Sequence, residues 1–294
     1  MKAPPRPTRP QAWLVAVILA VAVTGCGGAS SSGSSSAGSA AGGGASPGHS
    51  ASTPAGPRHV PALTPPVSAS DTSVRVPVLT YHRVAPASAV GQLDLKVDPD
   101  NFTAELEGLR QAGYHTVTQA QLFDALYHHG SLPSRPIVIS VDDGYIDDVR
   151  TILPTLRRLH MVATFFVITG RMSEAGFLNA GQIRELDRAG MDVGDHTAHH
   201  VDLRLLSPGQ LRAETAGSRR VLQQVLGHPV YFFAYPFGAY NDNVVAAVRA
   251  AGFTMAYSTA GGIQQSTGRP LTEPRVHVGH SETPSGLLSL LGGA

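Results

Sequence analysis

The chain has 294 residues, 42% of them apolar, and a formal net charge of +1. That length and apolar content suit one large domain or two small ones with a core of their own. No basic stripe stands out, which argues against nucleic acid as a partner, and a single cysteine removes disulfides as a source of stability.

Taken in chain order, Lys2, Arg6 and Arg9 precede the apolar run Ala12–Val23 (AWLVAVILAVAV). The run has signal-peptide length and is too short for a comfortable membrane span. It ends in Val23-Thr24-Gly25-Cys26, and small residues ahead of a cysteine resemble a bacterial lipobox. The expectation is a lipoprotein signal peptide over 1–25, acylation of Cys26, and an exported lipoprotein facing the extracytoplasmic side, touching the membrane through its lipid only. An ordinary signal peptide with a chance cysteine is the alternative. Residues 26–72 are rich in Ser, Gly, Ala and Pro. Such a segment buries too little apolar surface to offset chain entropy and reads as a flexible linker, spanning on the order of 35–40 Å. His49 and His59 fall in it as solvated residues. The functional domain is expected over 73–294, as a monomer.

From about residue 73 strand and helix signals alternate. Val76–Tyr81 (VPVLTY) is an apolar run of buried-strand length. Asp100–Ala112 carries Phe102, Leu106 and Leu109 at helical spacing. A short strand HTVT precedes a helix from Thr118, with Leu122, Phe123 and Leu126 on one face. Pro136–Val141 (PIVISV) is a strand, and Asp147–Leu159 a helix with Pro154 as a kink or boundary. Strands then follow at Thr164–Ile168, Met191–Gly194, Tyr231–Ala234, Phe253–Tyr257 and Arg275–Val278, separated by helices at Asn179–Ala189, Ser207–Leu226 and Asn241–Ala251. Three helices end alike, in Ala112-Gly113-Tyr114, Ala189-Gly190-Met191 and Ala251-Gly252-Phe253. Glycine past a helix end supplies a left-handed cap, and the apolar residue after it starts a strand. Repeated joints of this kind imply an α/β fold with a parallel sheet. The expected architecture is a distorted (β/α) barrel of about seven units with the site at the C-terminal strand ends. A doubly wound open sheet is the alternative.

Polar residues collect where the strands stop. VPVLTY ends in His82, PIVISV in Asp142-Asp143-Gly144, MDVG in Asp195-His196, and YFFA in Tyr235-Pro236-Phe237-Gly238. In a parallel barrel these ends converge on one face. Two carboxylates behind a fully apolar strand are costly to bury without a cation. A helix-capping role is the alternative, and it fits Asp147-Asp148 better. In Asp195-His196-Thr197-Ala198-His199-His200, His196 pairs at helical spacing with His200, or with His199. Two histidines and a carboxylate suit zinc or a similar ion with an open position; a solvated loop is the alternative.

The order Ser140-Val141-Asp142-Asp143-Gly144, His196-Thr197-Ala198-His199-His200, Tyr235-Pro236-Phe237-Gly238 resembles the polysaccharide deacetylases, carbohydrate esterase family four, over roughly residues 74–280. The resemblance implies Asp142 as catalytic base and Asp143, His196 and His200 as ligands of a divalent metal, zinc first, with nickel, cobalt or iron as alternatives. Thr197 matches the hydroxyl position and His199 is the bystander. The family's third motif usually carries an arginine that orients the base. Here Ala234 stands in its place, and Arg275 is the candidate substitute. The late leucine-x-histidine motif is replaced by a weak imitation, Val278-Gly279-His280, and the roles of His277 and His280 stay open. Pro77-Val78-Leu79-Thr80-Tyr81-His82 at the front is similar to the branch acting on poly-β-1,6-N-acetylglucosamine, which makes His82 the general acid. The resemblance further implies an oxyanion near the backbone N–H of Phe237. Tyr81, Tyr145, Tyr235 and Phe237 are candidate sugar-stacking residues, or ordinary core aromatics. The implied partner is a polysaccharide containing N-acetylglucosamine. The alternatives are a peptidoglycan or chitin deacetylase, an acetylxylan esterase, and a non-catalytic carbohydrate-binding lipoprotein of the same fold.

The lone cysteine behind the apolar run generates a direct prediction. The wild-type protein partitions into the detergent phase and Cys26→Ala does not. Equal partitioning of the two would remove the lipoprotein reading.

Overall fold

A computed structural model of the protein describes residues 62–65 and 71–292. The signal-peptide expectation and most of the linker expectation lie outside the described residues. Within the stretch read as linker, Leu63 is buried in a core cluster and the Thr72 N–H donates to Thr267 Oγ1 at 2.9 Å. Among the described residues no helix is long and apolar enough to cross a membrane.

In chain order the elements are β1 (Ser73–Arg75), β2 (Val78–Tyr81), β3 (Arg83–Val84), β4 (Lys96–Val97), α1 (Pro99–Gln111), β5 (His115–Thr116), α2 (Gln119–Tyr127), β6 (Pro136–Val141), α3 (Leu153–Leu159) and β7 (Thr164–Val167). They continue with α4 (Ala180–Arg188), β8 (Asp192–Asp195), α5 (Pro208–Arg212), α6 (Ser218–Leu226), β9 (Phe232–Ala234), α7 (Asp242–Ala250), β10 (Met255–Tyr257), β11 (Gln264–Ser266), β12 (Val276–His277) and α8 (Pro284–Leu290). The main sheet runs β10-β9-β8-β7-β6-β2-β12, with β5 beside the start of β6, and its pairings are parallel. The expected helix–glycine–strand joints are present: Gly113, Gly190 and Gly252 sit at φ +79°, +84° and +88°, a region that costs glycine nothing. Thr118 and Asn179 each close a capping box at the start of α2 and α4.

The sheet curls toward closure. Beyond β11 the Glu273 N–H donates to Ala256 O and the Ser258 N–H to Glu273 O, both at 2.9 Å. Three residues later β12 pairs with Leu79 and Thr80 of β2. One short segment therefore bridges β10 and β2 across the opening of the curled sheet, and the distorted-barrel reading holds over the open sheet.

Strand alternation divides the core in two. Val78, Val138, Phe166, Phe232, Met255 and Tyr257 form an inner cluster. Leu79, Tyr81, Ile139, Val141, Phe165, Val167, Val193 and Phe233 face the surrounding helices. Gly194 is required inside, because a Cβ there would lie 2.4 Å from the Phe166 ring. Leu122, Phe123 and Leu126 of α2 join the inner cluster, so α2 seals the end of the barrel where the strands begin. Its first turn is tied there by Asp192 Oδ2, which accepts from the N–H groups of Gln119 (2.9 Å) and Ala120 (3.3 Å). A carboxylate at a helix N-terminus satisfies orphan donors and complements the dipole.

Two helices depart from regularity. The segment read as one helix from Asp147 opens with a π turn, Asp148–Ile152, ahead of α3; Pro154 supplies no N–H to residue 150. The long helix from Ser207 is interrupted by a second π turn, Ala213–Gly217, between α5 and α6.

Asp192→Ala should lower unfolding stability by about 1.5–3 kcal/mol, the range for a hydrogen-bonded buried charge. It should leave the opposite barrel mouth intact, since the four steps from Asp192 to His196 span about 13 Å. Urea unfolding checks this; a loss below about 0.5 kcal/mol would mean the cap does nothing.

Candidate metal centre and active site

Parity decides which strand-end residues reach the mouth. Thr80, Ser140, Gly194 and Ala234 share the inner face, so the residues two further on, His82, Asp142 and His196, also point inward. They line a cavity of about 470 Å³ together with Asp143, Tyr145, Arg171, His200, Phe237, Thr259 and His277.

Asp143 should point away from Asp142 by the same alternation. It does not, because Asp143 and Gly144 both adopt left-handed backbone, φ +81° and +74°. The chain doubles back and tips the Asp143 carboxylate over the mouth. Asp143 Oδ1 lies 3.5 Å from His196 Nε2 and 3.6 Å from His200 Nε2, and it is buried without a hydrogen-bond partner. His196 and His200 do not converge through a helical turn, as their spacing suggested. They lie in a loop with left-handed Thr197 (φ +69°) and His200 (φ +53°).

The three donors fit a divalent cation. Ligands held about 2.0–2.2 Å from a tetrahedral ion are themselves about 3.3–3.6 Å apart. The carbonyl of Ala234 accepts from His196 Nδ1 at 2.8 Å, which leaves the Nε2 lone pair facing Asp143. Burial lowers His196 to about 3 and lowers His200 as well, so both rings are neutral at pH 7, the form that can bind a cation. Burial, then the neighbouring Asp142, pushes Asp143 up to about 7. A cation is what such a carboxylate lacks.

Asp142 has the opposite environment. Burial pushes its carboxyl up most strongly, but the Arg275 charge and hydrogen bonds, together with His196 and His82, outweigh burial and hold it well below the usual carboxylate range. Arg275 donates in bidentate fashion, Nη1 to Oδ1 at 2.8 Å and Nη2 to Oδ2 at 2.7 Å. It also donates to Ser140 Oγ and Ser258 O, each at 3.2 Å. Thus Ala234 leaves the interior clear on one side, and Arg275 reaches Asp142 from the closing segment.

His82 faces the cavity with Nδ1 unpartnered. Burial lowers it to about 4 against the pull of Asp142, so the resting ring is neutral at pH 7. His277 stands edge-on to it, ring centroids 5.7 Å apart, and lies 3.5 Å from Asp94. Sequence reasoning left His277 open, although its spacing of two from Arg275 in one extended segment carries the signal. Arg171 and Thr259 on the cavity wall follow no motif. His199 lies outside the ligand set, its ring 2.6 Å from Glu214.

The aromatic candidates separate. Tyr145 lines the cavity and stacks on Phe177 at 4.7 Å. Phe237 is 64% exposed at left-handed φ +58°, its ring 4.6 Å from His200. Tyr235 is not a substrate-facing residue. It follows inward Ala234, so it points out into the core, where its hydroxyl donates to Leu271 O at 2.8 Å. Tyr81 fails for the same reason: it packs under α1 and donates to Glu105 Oε2 at 2.9 Å.

Residues 129–256 match the family model described as polysaccharide deacetylase. In structure, a deacetylase from Streptococcus pyogenes, PplD, in complex with acetate, superposes with TM-score 0.69 at 27% identity, covering 75% of this chain and 99% of that one. A polysaccharide deacetylase from Bacillus cereus gives TM-score 0.67 at 29% identity, covering 74% and 69%. In sequence, the poly-β-1,6-N-acetyl-D-glucosamine N-deacetylase of Staphylococcus aureus (strain MSSA476) is 23% identical over 207 residues, 61% of this chain and 70% of that one. Barrel, paired acids and histidine loop agree with these matches: the chain carries a polysaccharide deacetylase domain of carbohydrate esterase family four.

Proposed function

We propose that the protein is a zinc-dependent N-deacetylase of a cell-surface N-acetylglucosamine polymer, with poly-β-1,6-N-acetylglucosamine as its substrate. Its family hydrolyses amide bonds of acetylated sugars. The observation that carries the proposal is the convergence of Asp143, His196 and His200 beside an adjacent carboxylate clamped by Arg275. The β-1,6 linkage is supported by His82 at the end of the first barrel strand and by the Staphylococcus aureus relative.

Asp143, His196 and His200 would hold the ion, and two histidines with one carboxylate suit zinc. When bound, a divalent cation polarises the acetamide carbonyl and acidifies water. Asp142, kept ionised and oriented by Arg275, accepts the proton of the attacking water. The departing amine needs one proton, and His82 faces it. Because the resting ring is neutral, the proton that Asp142 removes is the one His82 must deliver, which balances the hydrolysis. The Phe237 backbone N–H is assigned to the developing oxyanion, and the Tyr145 and Phe237 rings to the sugar. At the N-terminus the sequence supports an acylated Cys26 and a linker that carries the domain away from the membrane.

Acetate release across β-1,6-linked N-acetylglucosamine, peptidoglycan, chitin and acetylated xylan should be fastest on the first. A clear preference for any other substrate would replace the β-1,6 reading and keep the deacetylase.

A variant series separates the roles within the site. His196→Ala and His200→Ala lose bound metal and activity. Asp143→Asn loses metal affinity first, and excess metal restores part of the rate. Asp142→Asn and His82→Ala keep metal, while turnover falls by about 10²–10⁴-fold, the usual contribution of general acid–base catalysis. Elemental analysis beside acetate release reads both. An empty Asp142→Asn with a loaded Asp143→Asn would reverse the two acids, and full activity in His82→Ala would make that ring structural.

A further inference from the structure

We infer that Glu214 is a positioning residue for the metal-binding loop, and that His199 is the handle by which Glu214 holds it. This rests on the metal reading above and concerns what keeps the ligands in place.

The loop from His196 to His200 supplies two of the three ligand atoms. Two of its non-glycine residues, Thr197 and His200, are left-handed, at a cost of about 1–2 kcal/mol each. Such backbone persists only where the surroundings over-determine it. The inner half of the loop is held from three sides. Asp195 Oδ1 accepts from the Thr197 N–H at 2.7 Å and from Ser218 Oγ at 3.0 Å. The Thr169 N–H donates to Thr197 O at 3.0 Å, and the Gly170 N–H to Ala198 O at 2.8 Å. Gly170 has to be glycine, since a Cβ there would lie 2.4 Å from Ala198 O.

The outer half, nearest the ligand His200, is held by Glu214. Its Oε2 accepts from the His199 N–H at 2.9 Å, and its Oε1 lies 2.6 Å from His199 Nδ1. Both oxygens of one carboxylate thus grip the residue before His200. The His200 N–H in turn donates to Thr197 Oγ1 at 2.9 Å, which links the two halves. Glu214 itself is 7% exposed, whereas the His199 side chain is 69% exposed. Burying a carboxylate to meet a solvated imidazole is a poor way to add stability. As a clasp on a strained loop the arrangement makes sense, because a loop already ordered loses less entropy when its histidines take a cation.

The helix is shaped for this task. Glu214 lies in the π turn of residues 213–217, and Ser218, four residues on, bonds Asp195. One helical face therefore meets both halves of the loop. π turns recur at functional sites.

The test is the dissociation constant of Zn(II), measured on the full chain by competition with a chromogenic chelator, well below the unfolding temperature of each metal-free variant. Read on folded protein, affinity does not move for a residue that merely adds stability. Glu214→Ala should bind Zn(II) at least tenfold more weakly. His199→Ala should lose about threefold, because its backbone N–H still reaches Glu214. The double variant should be no worse than Glu214→Ala alone. Glu214→Gln keeps the volume and one acceptor, and a loss of about threefold there carries the test if Glu214→Ala does not fold. Glu107→Ala, an acid on α1, should match wild type. Affinity within twofold of wild type in both Glu214→Gln and Glu214→Ala, or in Glu214→Gln alone where Glu214→Ala does not fold, would overturn the inference, and so would a fall in metal-free melting temperature with affinity unchanged. A wild-type chain that takes no Zn(II) would overturn the metal reading itself, and the clasp with it.

Discussion

The buried ion pair between Arg275 and Asp142 ties the closure of the barrel to its chemistry. Arg275 arrives on the segment that bridges β10 and β2. Its guanidinium stands 5.6 Å from the Phe166 ring inside the barrel, and it spends its donors on Asp142, Ser140 and Ser258. A lone carboxylate at this depth would be driven to its neutral form. A lone arginine there would be costlier still, since it does not deprotonate. Each makes the other tolerable, and both are needed where the last strand meets the first.

The same pair explains how two adjacent aspartates come to differ. Asp142 follows strand parity into the barrel and finds a cation already present. Asp143 is carried to the mouth by two consecutive left-handed residues and finds two neutral imidazoles. Burial and the charge of Asp142 raise Asp143, while the charged surroundings of Asp142 depress it against burial, from neighbouring positions in the chain. Groups pushed apart in this way are the ordinary mark of divided roles.

Much of this was legible in the sequence, for identifiable reasons. Buried parallel strands are uniformly apolar, so PIVISV and TFFV announce themselves, and the glycines at 113, 190 and 252 punctuate the helix–strand joints. The strand-end acids and histidines were legible because the fold class sends strand ends to one mouth. What escaped needed information that residue type does not carry. Tyr235 and Tyr81 are aromatic and next to the site, yet strand parity turns both outward. The His196–His200 spacing is that of a helix, but a loop with two left-handed residues achieves the convergence. The pairing of β1 with β11 joins segments almost two hundred residues apart that are three residues long, with no periodicity to read. The clasp on His199 depends on a π turn that composition does not reveal.

The placement of α2 has a consequence for how a polymer can be handled. With Leu122, Phe123 and Leu126 packed into the inner cluster, the barrel is stoppered where its strands begin. The cavity therefore does not continue through the inner cluster to the far end of the barrel. A polysaccharide cannot be threaded through it, and no chain end has to be found before work starts. On the proposed function a glycan would stay outside and lower one acetamide at a time to the floor, so an internal unit able to bend toward the mouth would be as accessible as the last one.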